Sequence, residues 1–308
     1  MREYGMISKK MNRRMVVAKI FRKLKMKQIS QLFNTKRHNA VMQDISSISY
    51  KCLSRVKNEE GKTKTAVNNV WVFWWQGENQ MPQLVRQCYT SLKNRLIGKK
   101  IILITKDNIK EYCTFPDYIF EKYKDGKITL THLSDILRFD LLSHYGGLYT
   151  DATVFWTGDI LTEKFEDLYT CGGYPDEYYF NVSRGKWTGF LIGGSKGNSL
   201  FTFMYDFFLE YWKQREELID YFLIDYALQF AYENNIGGFK DYADNVAILN
   251  NPNLFELMRI RNQTYSEEKK RKLLSNTCAF KLSYKKKFNN GNNTYANQII
   301  FAEVIGES

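Results

Sequence analysis

The stretch that most constrains the fold is His132 to Trp156, "HLSDILRFDLLSHYGGLYTDATVFW". Leu133, Ile136, Leu137, Leu141 and Tyr145 recur at helical spacing, and Gly146-Gly147 ends the run by allowing a left-handed backbone. Thr131 is expected to cap this helix, which runs from about His132 to Tyr145. The residues that follow, Leu148 to Phe155, are rich in β-branched and aromatic types and read as a strand. A helix that hands over directly to a buried strand belongs in a layered α/β fold. One acid, Asp151, lies near that strand's end. A carboxylate removed from water there needs a metal ion, an arginine or a ligand hydroxyl as partner.

The flanking segments extend the pattern. Asn69 to Trp75 reads as a first buried strand, Pro82 opens a helix reaching about Leu96, and Lys100 to Thr105 is a second strand, with Asp107 as cap of the next helix. This alternation predicts a mixed, mostly parallel sheet flanked by helices. Further helices are expected over 198–217, 220–234, 252–260 and 265–275, a short strand over 278–284, and a loop over 289–293.

Charge divides the chain of 308 residues. Residues 1–67 hold 17 Lys/Arg against four Asp/Glu, whereas the remainder holds 28 against 29. The near-neutral body argues against a nucleic-acid-binding fold, and no nucleic-acid partner is expected. Residues 1–66 read as a basic helical extension and 67–308 as the globular domain. In the extension, Met11, Met15, Ile20 and Leu24 lie among seven cations between Arg13 and Lys27. That pattern suits an anionic membrane surface, the alternative being a solvated tail. No apolar run approaches the roughly 20 residues of a membrane span. The five cysteines include no Cys-x-x-Cys pair, and a reducing cytoplasm is the simplest compartment.

Asp135 and Arg138, three apart on the helix, either form an ordinary surface ion pair or belong to a ligand site beyond the strands' carboxyl ends. "SDILRFDLLSHYGGLYTDATVFWTG" resembles the signature of the capsular polysaccharide synthesis protein family, related to the glycosyltransferase family 32 sugar transferases. The likeness extends to "WVFWWQGENQMPQLVRQCYTSLK", "WTGFLIGGSKGN", "YFLIDYALQFAY" and "FKLSYK", covering residues 67–290.

The resemblance implies a GT-A-type nucleotide-diphospho-sugar transferase fold and a retaining transfer. The donor would be a nucleotide sugar, most simply a UDP-sugar, and the acceptor a growing or polyprenyl-diphosphate-linked glycan. Such an enzyme would sit on the inner face of the plasma membrane. Carried over by motif, Asp135, Arg138 and Asp151 are the catalytic set: Asp135 and Arg138 hold donor hydroxyls and diphosphate, and Asp151 is the first acid of an Asp-x-Asp motif. Tyr149 and Thr153 join the donor contacts on either side of it. The family also implies Mn2+ or Mg2+ at Asp151. Here Thr153 stands where the second acid would be, and a hydroxyl is a weak ligand for these ions. A catalytically silent nucleotide-sugar-binding protein is the alternative this departure leaves open, and a membrane- or RNA-binding protein acting through the basic residues 1–66 is a second. Lys281 and Lys285 are the positive groups available to replace a metal.

Of the tryptophans Trp71, Trp74 and Trp75, each is either core or a base-stacking platform. Trp74 and Gln76 lie nearest the strand end and are the better candidates for a base. Thr188 is expected to present an exposed hydroxyl to a sugar. Asp225 stands alone among apolar neighbours, either near a sugar or capping a backbone. His132 and His144 lack a third ligand at helical spacing and read as structural.

Overall fold

A computed structural model describes residues 8–57, 68–159, 167–289 and 291–302. Two helices lead, α1 (Lys9–Lys23) and α2 (Lys27–Lys57). Then follow β1 (Asn69–Phe73), α3 (Gln83–Arg95), β2 (Lys100–Ile104), α4 (Ile109–Tyr112), α5 (Asp117–Lys124) and α6 (Leu130–Tyr145). The central stretch holds β3 (Gly147–Thr150), β4 (Val154–Trp156), β5 (Leu168–Thr170), β6 (Leu191–Gly194), α7 (Ser199–Gln214) and α8 (Leu223–Glu233). The last part holds α9 (Phe239–Asn245), α10 (Glu256–Ile260), α11 (Glu267–Leu274) and β7 (Ala279–Lys281).

Five strands form one sheet in the order β2-β1-β3-β6-β5. β1 pairs in parallel with β2 and β3, whereas β6 runs antiparallel to both β3 and β5. The fold is therefore mixed α/β with a mostly parallel central sheet between helices. Alternation along β1 feeds both faces: Trp71 and Phe73 enter the core beneath α6, α7 and α8, while Val70 and Val72 face α3.

The α6-to-β3 junction is as tight as its glycines suggest. Gly147 adopts φ +100°, and a Cβ there would lie 2.3 Å from the carbonyl oxygen of Asn69. Helix α6 starts earlier than expected: Thr129, not Thr131, accepts the amide of His132. Asn108 rather than Asp107 organises the turn after β2, accepting from the Thr105 amide at 2.8 Å.

The strand expected from Leu148 to Phe155 is two strands. Asp151 Oδ1 accepts from the backbone N of Thr153 at 2.8 Å and from its hydroxyl at 2.7 Å. This side-chain-to-backbone turn, closed by Val154 N donating to Asp151 O, bends the chain off the main sheet. β4 then pairs antiparallel with β7, matching Val154 to Lys281, Phe155 to Phe280 and Trp156 to Ala279.

The basic segment is packed, not trailing. Val41, Ile45, Ile48, Cys52 and Val56 of α2 are buried in the same core as α6, α7 and α8, with Met11 of α1. The apolar set expected on α1 divides: Met11 and Met15 turn inward with Ala18, and Ile20 and Leu24 stay exposed. The division expected at residue 66 falls at 58–67, outside the described residues. No helix among the described residues is long and apolar enough to cross a membrane.

Candidate active site

A cavity of about 930 Å³ opens at the carboxyl ends of β1 and β3. Strand ends are where open α/β sheets bind ligands, because chain reversals there leave a crevice between loops. Trp74 and Gln76 reach it from β1, Tyr149 and Asp151 from β3, Thr153 from the turn, and Lys281 from β7.

Asp151 is the hub. Its Oδ2 lies 3.0 Å from Lys281 Nζ, which also donates to Thr153 Oγ1 at 2.8 Å. Burial pushes the Asp151 pKa upward, but the Lys281 charge and the hydrogen bonds from Thr153 overcome it and hold the carboxyl at about 2. Lys281 also lies over the Phe190 ring, 4.6 Å from its centroid. The β4–β7 ladder thus delivers a cation to the position beside Asp151.

These residues fit an internal ammonium better than Mn2+ or Mg2+. Both Asp151 oxygens are engaged, the second acid is Thr153, and the Lys281 charge repels a divalent ion at that point. Among the described residues no group of three His, Cys, Asp or Glu side chains is placed to hold a metal.

Asp135 and Arg138 do not line the cavity. They form a buried ion pair at 2.9 Å, which removes the surface-pair reading, and the Arg138 guanidinium lies 4.5 Å from the Tyr149 ring centroid. Burial opposes the Arg138 charge, and Asp135, Tyr149 and Asp151 outweigh it, raising its pKa. Arg138 Nε is buried with no hydrogen-bond partner among the described residues. Asp225, in the first turn of α8, belongs to this inner group and accepts from Trp187 Nε1 at 3.3 Å. Burial, then the charge of Asp135, raises its pKa to about 7. Among the described residues its carboxylate is seen to accept from the Trp187 side chain and from no backbone amide. Tyr149 separates the inner group from the cavity, its hydroxyl 2.7 Å from Ser134 Oγ.

Thr188 departs from expectation. It is buried, and its hydroxyl donates to the Leu191 carbonyl at 3.3 Å, tying together the turn that enters β6. Trp71 is core, its Nε1 donating to Gly146 O at 2.8 Å. Trp74 lies edge-on to Tyr284 at the cavity, its Nε1 buried and without a hydrogen-bond partner among the described residues. Trp75 also reaches the cavity while packing edge-on against Tyr123. His132 accepts from Trp212 Nε1 and His144 pairs with Asp140, both structural roles.

Ser134 and Tyr284, which lie inside the motifs without an expected role, and Arg259 and Arg261, which lie outside them, all line the cavity. The two arginines join Lys281, Lys285 and Lys286 on its wall, and Asp151 is the one acid among the lining residues. The only advance signal was the basic run around "FKLSYK".

An α/β protein with a cationic cleft at its strand ends, built around one engaged aspartate, is suited to an anionic, polyhydroxylated ligand. The family model for capsular polysaccharide synthesis proteins matches residues 19–299, and the chain belongs to that family. It is also similar to the O-glycosyltransferase braB of Annulohypoxylon truncatum, 30% identical over 115 residues. That alignment takes in 33% of this chain and 27% of the relative, so the chain spans about a quarter of that protein's length. Family and relative together support glycosyltransferase activity in general terms.

Proposed function

We propose that the chain transfers a sugar from a nucleotide-diphosphate donor to a growing or lipid-linked glycan, with retention, at the cytoplasmic face of the membrane. The observation that carries this reading is the Asp151–Lys281–Thr153 cluster at the mouth of a cleft whose wall is otherwise basic. As the nucleoside diphosphate departs it takes the bonding electron pair, and negative charge grows on its phosphate oxygens. Lys281, held in place by Asp151, supplies the neutralising charge that a metal provides elsewhere. Trp74, with its unpartnered indole N–H, and Gln76 flank the base. Tyr149 floors the sugar, with Asp135 and Arg138 fixing that floor from below. Lys285, Lys286 and the two arginines draw in an acceptor that carries its own phosphates.

The test is donor hydrolysis and transfer across a panel of nucleotide sugars with Mn2+, with Mg2+ and with EDTA. Turnover in EDTA within about threefold of that with metal is expected, since the charge comes from the protein. Complete loss in EDTA defeats the metal-free version. Donor binding, seen as thermal stabilisation, without turnover would favour the silent sugar-nucleotide binder instead.

A further inference from the structure

Once Met11, Met15 and Ala18 are accounted for in the core, the outer side of α1 packs against nothing among the described residues. Val16, Ile20 and Leu24 are 46%, 50% and 62% exposed. Successive helical residues turn by about 100°, which places these three on one stripe with Lys9, Arg13 and Val17. The stripe borders a groove of about 590 Å³ lined by Val17, Phe33, Lys9, Arg13 and Arg14. Its floor is apolar, Phe33 stacking on Phe21, and its named cations all come from α1. Residues 9–36 hold ten Lys/Arg and no acid. A few of these charges are already used: Lys27 faces Glu177, and Lys19 and Arg22 lie over Phe180.

Exposed aliphatic side chains bounded by cations on one helix face match one chemical environment, the boundary between anionic headgroups and acyl chains. We infer that the outer stripe of α1 docks the protein flat on an anionic bilayer. A lipid phosphate lies against Lys9 and Arg13, and acyl carbon packs on Val17, Ile20, Leu24 and Phe33. The face is rotated from the one the sequence suggests, because Met11 and Met15 serve the core. Docking does not depend on the transfer reaction. A second link runs inward: Phe180, under Lys19 and Arg22, packs edge-on against Phe222, next to Tyr221 in the cavity wall. Helix α1 and the cleft wall are therefore joined through one short chain of contacts.

The experiment is co-sedimentation of the full chain with vesicles of phosphatidylcholine alone or with 30% phosphatidylglycerol, at several salt concentrations. Binding is expected on the anionic vesicles and should weaken as salt rises. Lys9→Gln with Arg13→Gln should weaken it about fivefold per cation removed. Ile20→Ser with Leu24→Ser should weaken it at least tenfold, with the thermal transition unchanged because both side chains are exposed. Equal binding to neutral vesicles, or full binding by both double variants, overturns the proposal. So does binding to single-stranded RNA in place of vesicles, lost in the same variants. Turnover on a soluble acceptor should be the same in all variants. If that turnover is absent throughout while vesicle binding follows the pattern, the transferase reading fails and the docking face stands.

Discussion

Helices α6 and α2 lie against the same core and both bury polar side chains, yet they use them differently. On α6 the buried Asp135 and Arg138 pair with each other beneath Tyr149, next to the cleft. On α2 the buried Asn34, Arg37 and His38, with partly buried Gln31, turn to the main chain of residues 177–180. Gln31 and Asn34 donate to the carbonyls of Glu177 and Tyr178 at 2.8 and 2.9 Å, and Arg37 donates to that of Phe180. His38 Nε2 donates to the Tyr179 carbonyl at 2.8 Å, since a carbonyl oxygen only accepts, leaving Nδ1 to accept from Tyr226. Burial is the main reason the His38 pKa is pushed down to about 4, so the ring stays neutral at physiological pH. A buried charge on a helix is therefore not in itself a sign of chemistry; what it faces decides.

The largest separation between the two regions should appear in turnover. Lys281→Met or Asp151→Asn should lower transfer by about 100- to 1,000-fold with little change in thermal midpoint, measured by initial rates and calorimetry. Arg37→Met should do the opposite. It strands Asp220, whose oxygen lies 3.6 Å from the guanidinium in a buried pair, and should cost about 3–5 kcal/mol in denaturant unfolding. Its rate per folded molecule should change less than about threefold; a deep loss of rate would make α2 part of the site. Ile45→Ala tests whether α2 belongs to the main core. A cost of about 2–5 kcal/mol is expected, and none is expected of an appendage.

The remaining effect is one of pH. The Asp225 pKa lies near 7 when folded, against 3.8 unfolded. Between these values the native state binds more protons, so stability should fall as pH rises from about 4 to 7 and level off above. Asp225→Asn should flatten that slope in unfolding curves measured across the range. Asp151 has the reverse sign: its contribution is full above pH 4 and is lost as pH falls toward 2.

The centre of the fold was legible because α6, Gly146-Gly147 and β3 each carry a local signal. Asp151 and Lys281 were both named from motifs, but their contact was not, since it depends on pairing strands more than a hundred residues apart. Thr188 misled because a hydroxyl beside glycine resembles a ligand contact, whereas this one closes a turn. In α2 the inward positions Ser30, Asn34, Arg37, Val41, Ile45, Ile48 and Cys52 follow helical spacing, but the first three are polar. Asn34 and Arg37 donate to main-chain carbonyls far along the chain, and Ser30 to that of Ala18 on α1, none of which a hydrophobic pattern reveals; the surrounding lysines made the segment look solvated.

The three-pair ladder between β4 and β7 has a consequence for how this sequence can change. Side chains alternate across a strand, so deleting Ala279 or Phe280 from within β7 would bring Leu282 opposite Val154 in place of Lys281. Asp151 would lose the cation beside it although Lys281 itself had not been removed. Length changes in the connections between the two strands leave that pairing alone. The family can therefore be expected to vary freely in the length of those connections and to hold the spacing within β7 fixed.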